Sequence, residues 1–60
     1  MGELTIRIAI ADDHPIFRDG LRRLLDSEPG FEVVAEASDG EAAIRAVGDT
    51  RPDILLLDLS

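Results

Sequence analysis

Three short aliphatic runs, Thr5–Ala11, Phe31–Ala37 and Asp53–Leu57, alternate with two segments of helical periodicity, and this order is the strongest constraint on how the chain folds. In TIRIAIA, Ile6, Ile8 and Ile10 fall on one face, with Arg7 and the small Ala9 and Ala11 on the other, which predicts a β-strand. DILLL is continuously apolar between turn signals, the pattern of a strand covered on both faces in a parallel sheet. Strand, helix, strand, helix, strand with short links requires right-handed crossovers and hence an α/β layered fold with parallel strands.

Local signals place the helices. After strand one, Asp12-Asp13-His14-Pro15 puts Pro at a first helical position, where the amide it lacks has no partner anyway, and makes Asp13 or His14 the expected cap. From Ile16 to Ser27, Ile16, Phe17, Leu21, Leu24 and Leu25 recur at helical intervals among charged residues, an amphipathic helix. Gly20 weakens it by about 1 kcal/mol relative to Ala, a cost that close packing on the sheet would offset. Pro29-Gly30 ends it. Ser38 with Glu41 three residues on forms a capping box for a second helix, which carries Ala42, Ala43, Ile44, Ala46 and Val47 and is expected to stop near Gly48.

Charge and composition narrow the function. Thirteen acidic residues against six basic ones, all Arg, give a net charge of −7, which repels nucleic-acid phosphates in the absence of a basic face. No Cys is present for a disulfide or a thiolate metal site, consistent with a reducing cytoplasm, the expected location. Apolar runs such as Ile54–Leu57 fall far short of the ~20 residues of a membrane-spanning helix, and the start lacks a basic signal region. Neither GxGxxG nor GxxxxGK[ST] occurs, which disfavours a nucleotide-binding enzyme.

In an open parallel sheet the ligand crevice lies at the carboxyl ends of the strands. Asp12-Asp13 and Asp58 stand at two such ends and converge if strands one and three are neighbours. Two carboxylates 4 Å apart repel by ~4 kcal/mol at an effective dielectric near 20, so such a site calls for a cation, and an all-oxygen set suits Mg²⁺ or Mn²⁺. A cation held there can hold a phosphate oxygen while a carboxylate attacks phosphorus, a role that falls to Asp58. Taken singly, Asp12-Asp13 reads first as a helix cap and dipole partner and Asp58 as a turn residue; their joint placement favours the site. His14 reads as a loop residue, since no second His or Cys completes a transition-metal set.

The segments IAIADDHPIFRDGLRRLL, VVAEASDGEAAI and RPDILLLDLS together resemble the first half of a receiver domain of the NarL/FixJ-type response regulators, from Ile6 onward. The resemblance implies a truncated flavodoxin-like fold: a three-stranded parallel sheet of order 2-1-3 with one helix on each face, residues 1–60 forming a partial receiver domain without its DNA-binding output domain. It further implies Asp58 as phosphoacceptor, Asp13 and Asp58 as direct Mg²⁺ ligands, Asp12 as a ligand through water and the Ser60 carbonyl as a further ligand. The phosphodonor is then a histidine kinase or a small acyl phosphate, and the domain is an acceptor rather than an enzyme acting on a diffusible substrate. The Lys and the hydroxyl and aromatic switch residues of the family's second half have no counterpart here. Ending after strand three would leave a central strand as a bare apolar edge, and an edge of this kind invites pairing. The alternative reading is therefore a structural half-domain that forms a homodimer through strand three, or by domain swapping.

Overall fold

The computed structural model describes residues 4–58, and its elements run β1 (Ile6–Asp12), α1 (Pro15–Asp26), β2 (Phe31–Ala37), α2 (Gly40–Thr50) and β3 (Ile54–Asp58). The three strands are parallel and ordered β2-β1-β3, as the resemblance implies. Central β1 is buried from Ile8 to Asp12, and Ala11 joins Ala37 and Ala43 in a small core. Small side chains at these three positions let α2 lie close on the sheet, as expected of its Ala-rich face.

The register between β1 and β3 is set at the opposite end of the sheet from the acidic residues. Asp53 donates its backbone N–H to the Arg7 carbonyl at 2.8 Å, and its carboxylate accepts the Arg7 N–H at 2.9 Å. The Arg7 guanidinium also reaches the Arg51 carbonyl at 3.0 Å. Counting along both strands from that clamp, Ile8 pairs with Ile54 and Asp12 with Asp58. Pairing with β2 shifts by one residue between Ile8 and Ala9, so that Ala9 and Ala11 sit beside Ala35 and Ala37, and Ile10 beside Glu36. This bulge brings Glu36 to the face where α1 lies, and α2 covers the other through Ala43.

Four local expectations are corrected. The second helix is capped by Asp39, whose carboxylate accepts the Ala42 N–H at 2.8 Å, and not by Ser38; the shorter offset to the third amide suits the residue next to Gly40. That helix runs through Gly48 to Thr50 and ends in a left-handed cap at Arg51, φ 50°, whose N–H bonds the Val47 carbonyl, just before Pro52, which has no N–H to continue the helix. A Cβ built on Gly20 meets no atom within 4 Å, so close packing does not offset its helix cost. Finally, β3 is exposed along its length instead of covered on both faces, from 36% at Leu56 to 61% at Leu57. An apolar groove lies between Ala43, Ile44 and Val47 of α2 on one side and Leu55 and Leu57 of β3 on the other.

The first helix presents a narrower apolar stripe than its sequence suggests. Leu21 and Leu25 are half-buried, whereas Ile16, Phe17 and Leu24 are exposed. The inward row is Arg18, Leu21, Arg22 and Leu25, at the i, i+3, i+4, i+7 spacing of one helix face.

Candidate functional site

At the carboxyl end of the sheet, β1 delivers Asp12 into the core while the chain turns sharply into α1. Asp12 is 1% exposed, an unusual position for a carboxylate, and the turn that follows accounts for half of its bonding. Its Oδ1 accepts the His14 backbone N–H at 2.7 Å and lies 3.0 Å from His14 Nδ1, the short-range pattern by which Asp side chains close a turn. His14 is the helix N-cap residue and makes no side-chain capping bond. Neither aspartate is therefore the N-cap of α1, although Asp12 closes the turn that leads into it.

The other Asp12 oxygen decides the character of the pocket. Oδ2 is buried and has no hydrogen-bond partner. An ionised oxygen removed from water without a partner is costly, so it calls for a proton donor or a cation. Asp13 lies next to it, with Asp12, Asp13 and His14 each offering a ligand atom within 4.8 Å of the others. Parallel register sets Asp58 directly across from Asp12. Asp12, Asp13 and Asp58 thus share one end of two neighbouring strands, and Ser60 falls outside the described residues. The group of ligand atoms within 4.8 Å comprises Asp12, Asp13 and His14, and Asp58 stands outside it on the neighbouring strand; the two carboxylates of that group, one oxygen of which lacks a partner, suit a hard divalent cation such as Mg²⁺.

His14 takes a larger part than a plain loop residue. Its ring stands against both carboxylates, with Nδ1 2.8 Å from Asp13 Oδ1. The hydrogen bond to Asp12, then the charge of Asp13 and, more weakly, that of Asp58 hold its pKa above the ordinary 6.5. The imidazolium and a metal cation are drawn to the same oxygens and compete for them.

Two residues that the sequence pattern does not single out, Arg18 and Glu36, belong to the frame of the site. Arg18 donates to the Asp12 carbonyl at 2.7 Å, to the Ala37 carbonyl at 3.4 Å and to Glu36 Oε1 at 3.3 Å. Glu36 in turn lies 3.0 Å from Arg22 Nε, an ion pair in which the N–H does not point at the oxygen. The signal that could have found Arg18 is its place in the inward row with Leu21 and Leu25.

The family described as the response regulator receiver domain matches residues 8–60. The chain belongs to that family. It is 50% identical over 61 residues to the nitrate/nitrite response regulator protein NarP of Escherichia coli (strain K12), covering 100% of this chain and 28% of NarP. The signal receiver domain of the putative response regulator NarL from Mycobacterium tuberculosis superposes with a TM-score of 0.89 at 41% identity, over 93% of this chain and 45% of that one. RcsB from Salmonella enterica serovar Typhimurium, solved bound to promoter rprA in the presence of the phosphomimetic BeF3-, gives a TM-score of 0.86 at 36% identity, over 93% of this chain and 28% of that one. The fold is accordingly the flavodoxin-like receiver fold over its first three strands, and among the described residues no helix is long and apolar enough to cross a membrane.

The raised pKa of His14 gives a signed expectation. Charged His14 favours the folded state below its unfolded value of 6.5, and that contribution is lost as pH rises through the higher folded value. An NMR titration of the His14 ring should place its midpoint above 6.5, and Asp12→Asn should bring it down toward 6.5. A midpoint at or below the ordinary value in the unsubstituted chain rules out the contacts described.

Proposed function

We propose that the chain is the phosphoacceptor part of a two-component receiver, that Asp58 accepts the phosphoryl group, and that Asp12, Asp13 and Asp58 hold a Mg²⁺ ion, with the Ser60 carbonyl as a further ligand. The observation that carries this reading is the buried, partnerless Oδ2 of Asp12 in register with Asp58. Membership of the receiver family supports it, as does the likeness to RcsB, a protein solved in the presence of a phosphomimetic.

In the reaction, one Asp58 carboxylate oxygen attacks the phosphorus of the donor in line. The new O–P bond makes an acyl phosphate, while the bond from phosphorus to the donor atom breaks and its electron pair leaves with the donor. From a histidine kinase the leaving group is an imidazole; from acetyl phosphate it is acetate. Asp58 is exposed at the end of β3, so a donor can approach it from solvent. Asp12, held by its turn, and Asp13 keep negative charge beside the acceptor. Bound Mg²⁺ would offset that charge and take up a phosphoryl oxygen. The work expected of the domain is acceptance of a phosphoryl group in the cytoplasm from a histidine kinase, with no contact to nucleic acid through this acidic segment.

A second reading, a half-domain that pairs with a second copy through β3, is favoured by one observation. Every residue of β3 is exposed, with Ile54, Leu55, Leu56 and Leu57 in a row. An apolar strand of this kind is a template for a further strand, and two copies meeting antiparallel about a twofold axis would extend the sheet.

Incubation with acetyl phosphate and Mg²⁺ should add the mass of one phosphoryl group, and Asp58→Ala should abolish the gain. A gain that survives in Asp58→Ala would locate the acceptor elsewhere. Millimolar Mg²⁺ should raise the thermal midpoint of the chain but not that of Asp13→Ala, by the linkage of binding to folding; an unchanged midpoint in the unsubstituted chain removes the metal. Light scattering at micromolar concentration should return twice the chain mass under the second reading, and a compact folded monomer sinks it.

A further inference from the structure

The reading above uses the acidic side chains and leaves one strongly placed cation unexplained. Arg18 sits in the first turns of α1, its side chain only 20% exposed, and its guanidinium lies at the same end of the sheet as the carboxylates. A positive charge close to a cation site lowers cation affinity by simple repulsion. Its contacts are of a different kind: with the Asp12 carbonyl at 2.7 Å, the Ala37 carbonyl at 3.4 Å and Glu36 at 3.3 Å, the guanidinium bridges the last peptides of β1 and β2 from the helix above them.

The Asp12 carbonyl belongs to the peptide that joins Asp12 to Asp13. Fixing that peptide fixes the direction in which the chain leaves β1, and with it the relative placement of the two side chains on either side of the bond. Its planarity transmits the constraint to both residues. The planar, many-donor guanidinium is suited to hold two carbonyls and a carboxylate at once, and Lys, with a compact ammonium, is not. The bulge in β2 is what makes the arrangement possible, because it brings Glu36 to the α1 face to orient the guanidinium. Arg22 contacts the same carboxylate without reaching Asp12 and so provides an internal comparison.

We infer that Arg18 is a positioning residue for the acidic pocket, holding the Asp12–Asp13 peptide against the end of β2 so that both carboxylates face the cation and the acceptor. The inference deepens the phosphoacceptor reading and rests on it for the identity of the cation. It does not rest on it for the contact itself.

The test compares Arg18→Ala, Arg18→Lys and Arg22→Ala with the unsubstituted chain by two readouts, after far-UV circular dichroism has shown which variants are folded. The first is amide hydrogen exchange at His14, whose N–H is held by Asp12. Arg18→Ala should speed it by about tenfold and Arg18→Lys by less, the scale of one charge-assisted hydrogen bond, with Arg22→Ala unchanged. The second is calorimetric titration with MgCl₂. Positioning predicts about tenfold weaker Mg²⁺ binding in Arg18→Ala with partial recovery in Arg18→Lys, whereas a purely electrostatic presence predicts tighter binding when the charge is removed. Unchanged exchange at His14, or unchanged or tighter Mg²⁺ binding in Arg18→Ala, overturns the positioning role. If the unsubstituted chain itself binds no Mg²⁺, the cation reading fails, and the exchange measurement decides Arg18 on its own. Should Arg18→Ala not fold, Arg18→Lys carries both measurements with the same signs.

Discussion

Everything functional in this chain depends on the register between β1 and β3. A slip of one residue would put Asp58 beside Ala11 or beyond Asp12 and turn every β3 side chain to the other face of the sheet. The lock is at the far end, where Arg7 and Asp53 exchange a backbone bond and a side-chain bond, five residues before the acidic pair on both strands. The residues that fix the site are thus as far from it as the strands allow. Regular strand geometry carries the alignment from one end to the other.

Once the register is set, the chemistry follows from an imbalance at Asp12. A side chain 1% exposed has one oxygen satisfied by its own turn and the other with no partner. Such a group is normally a liability to the fold, and its cost makes sense where a ligand completes it. His14 and Arg18 act on this residue from opposite sides. The imidazole contacts Oδ1 of the carboxylate, and the guanidinium takes the carbonyl and so ties the backbone, while neither reaches the buried Oδ2.

Much of this was legible in the order of residues. The span of β2 matches the expected one at both ends, because FEVVAEA is bounded by turn residues, and Asp12 and Asp58 do end neighbouring strands in register. The strand order came from family resemblance, which periodicity cannot supply. What escaped was decided by tertiary contact. Asp39 displaced Ser38 as cap because both residues are competent and only backbone geometry chooses between them. The β2 bulge leaves no trace in a run of small and β-branched residues, yet it sets the face of Glu36. Arg18 is one of several charged residues in an amphipathic pattern with nothing to single it out, and only its hydrogen bonds to two strand ends set it apart.

The pairing of Asp12 with Asp58 joins residues 46 positions apart, as far in sequence as the Arg7–Asp53 clamp that aligns them. All of α1, β2 and α2 lies between these two residues, which makes their pairing a long-range contact. The unit of β1, α1 and β2 can gather first, bringing Asp12, Asp13, His14, Arg18 and Glu36 together while Asp58 is still elsewhere. Asp58 thus meets, across the boundary between two strands, a group of residues local to β1, α1 and β2, and anything that binds across the two strands acts on a contact of long sequence separation. A ligand held between the two strands would make its binding and the docking of β3 on β1 parts of one equilibrium.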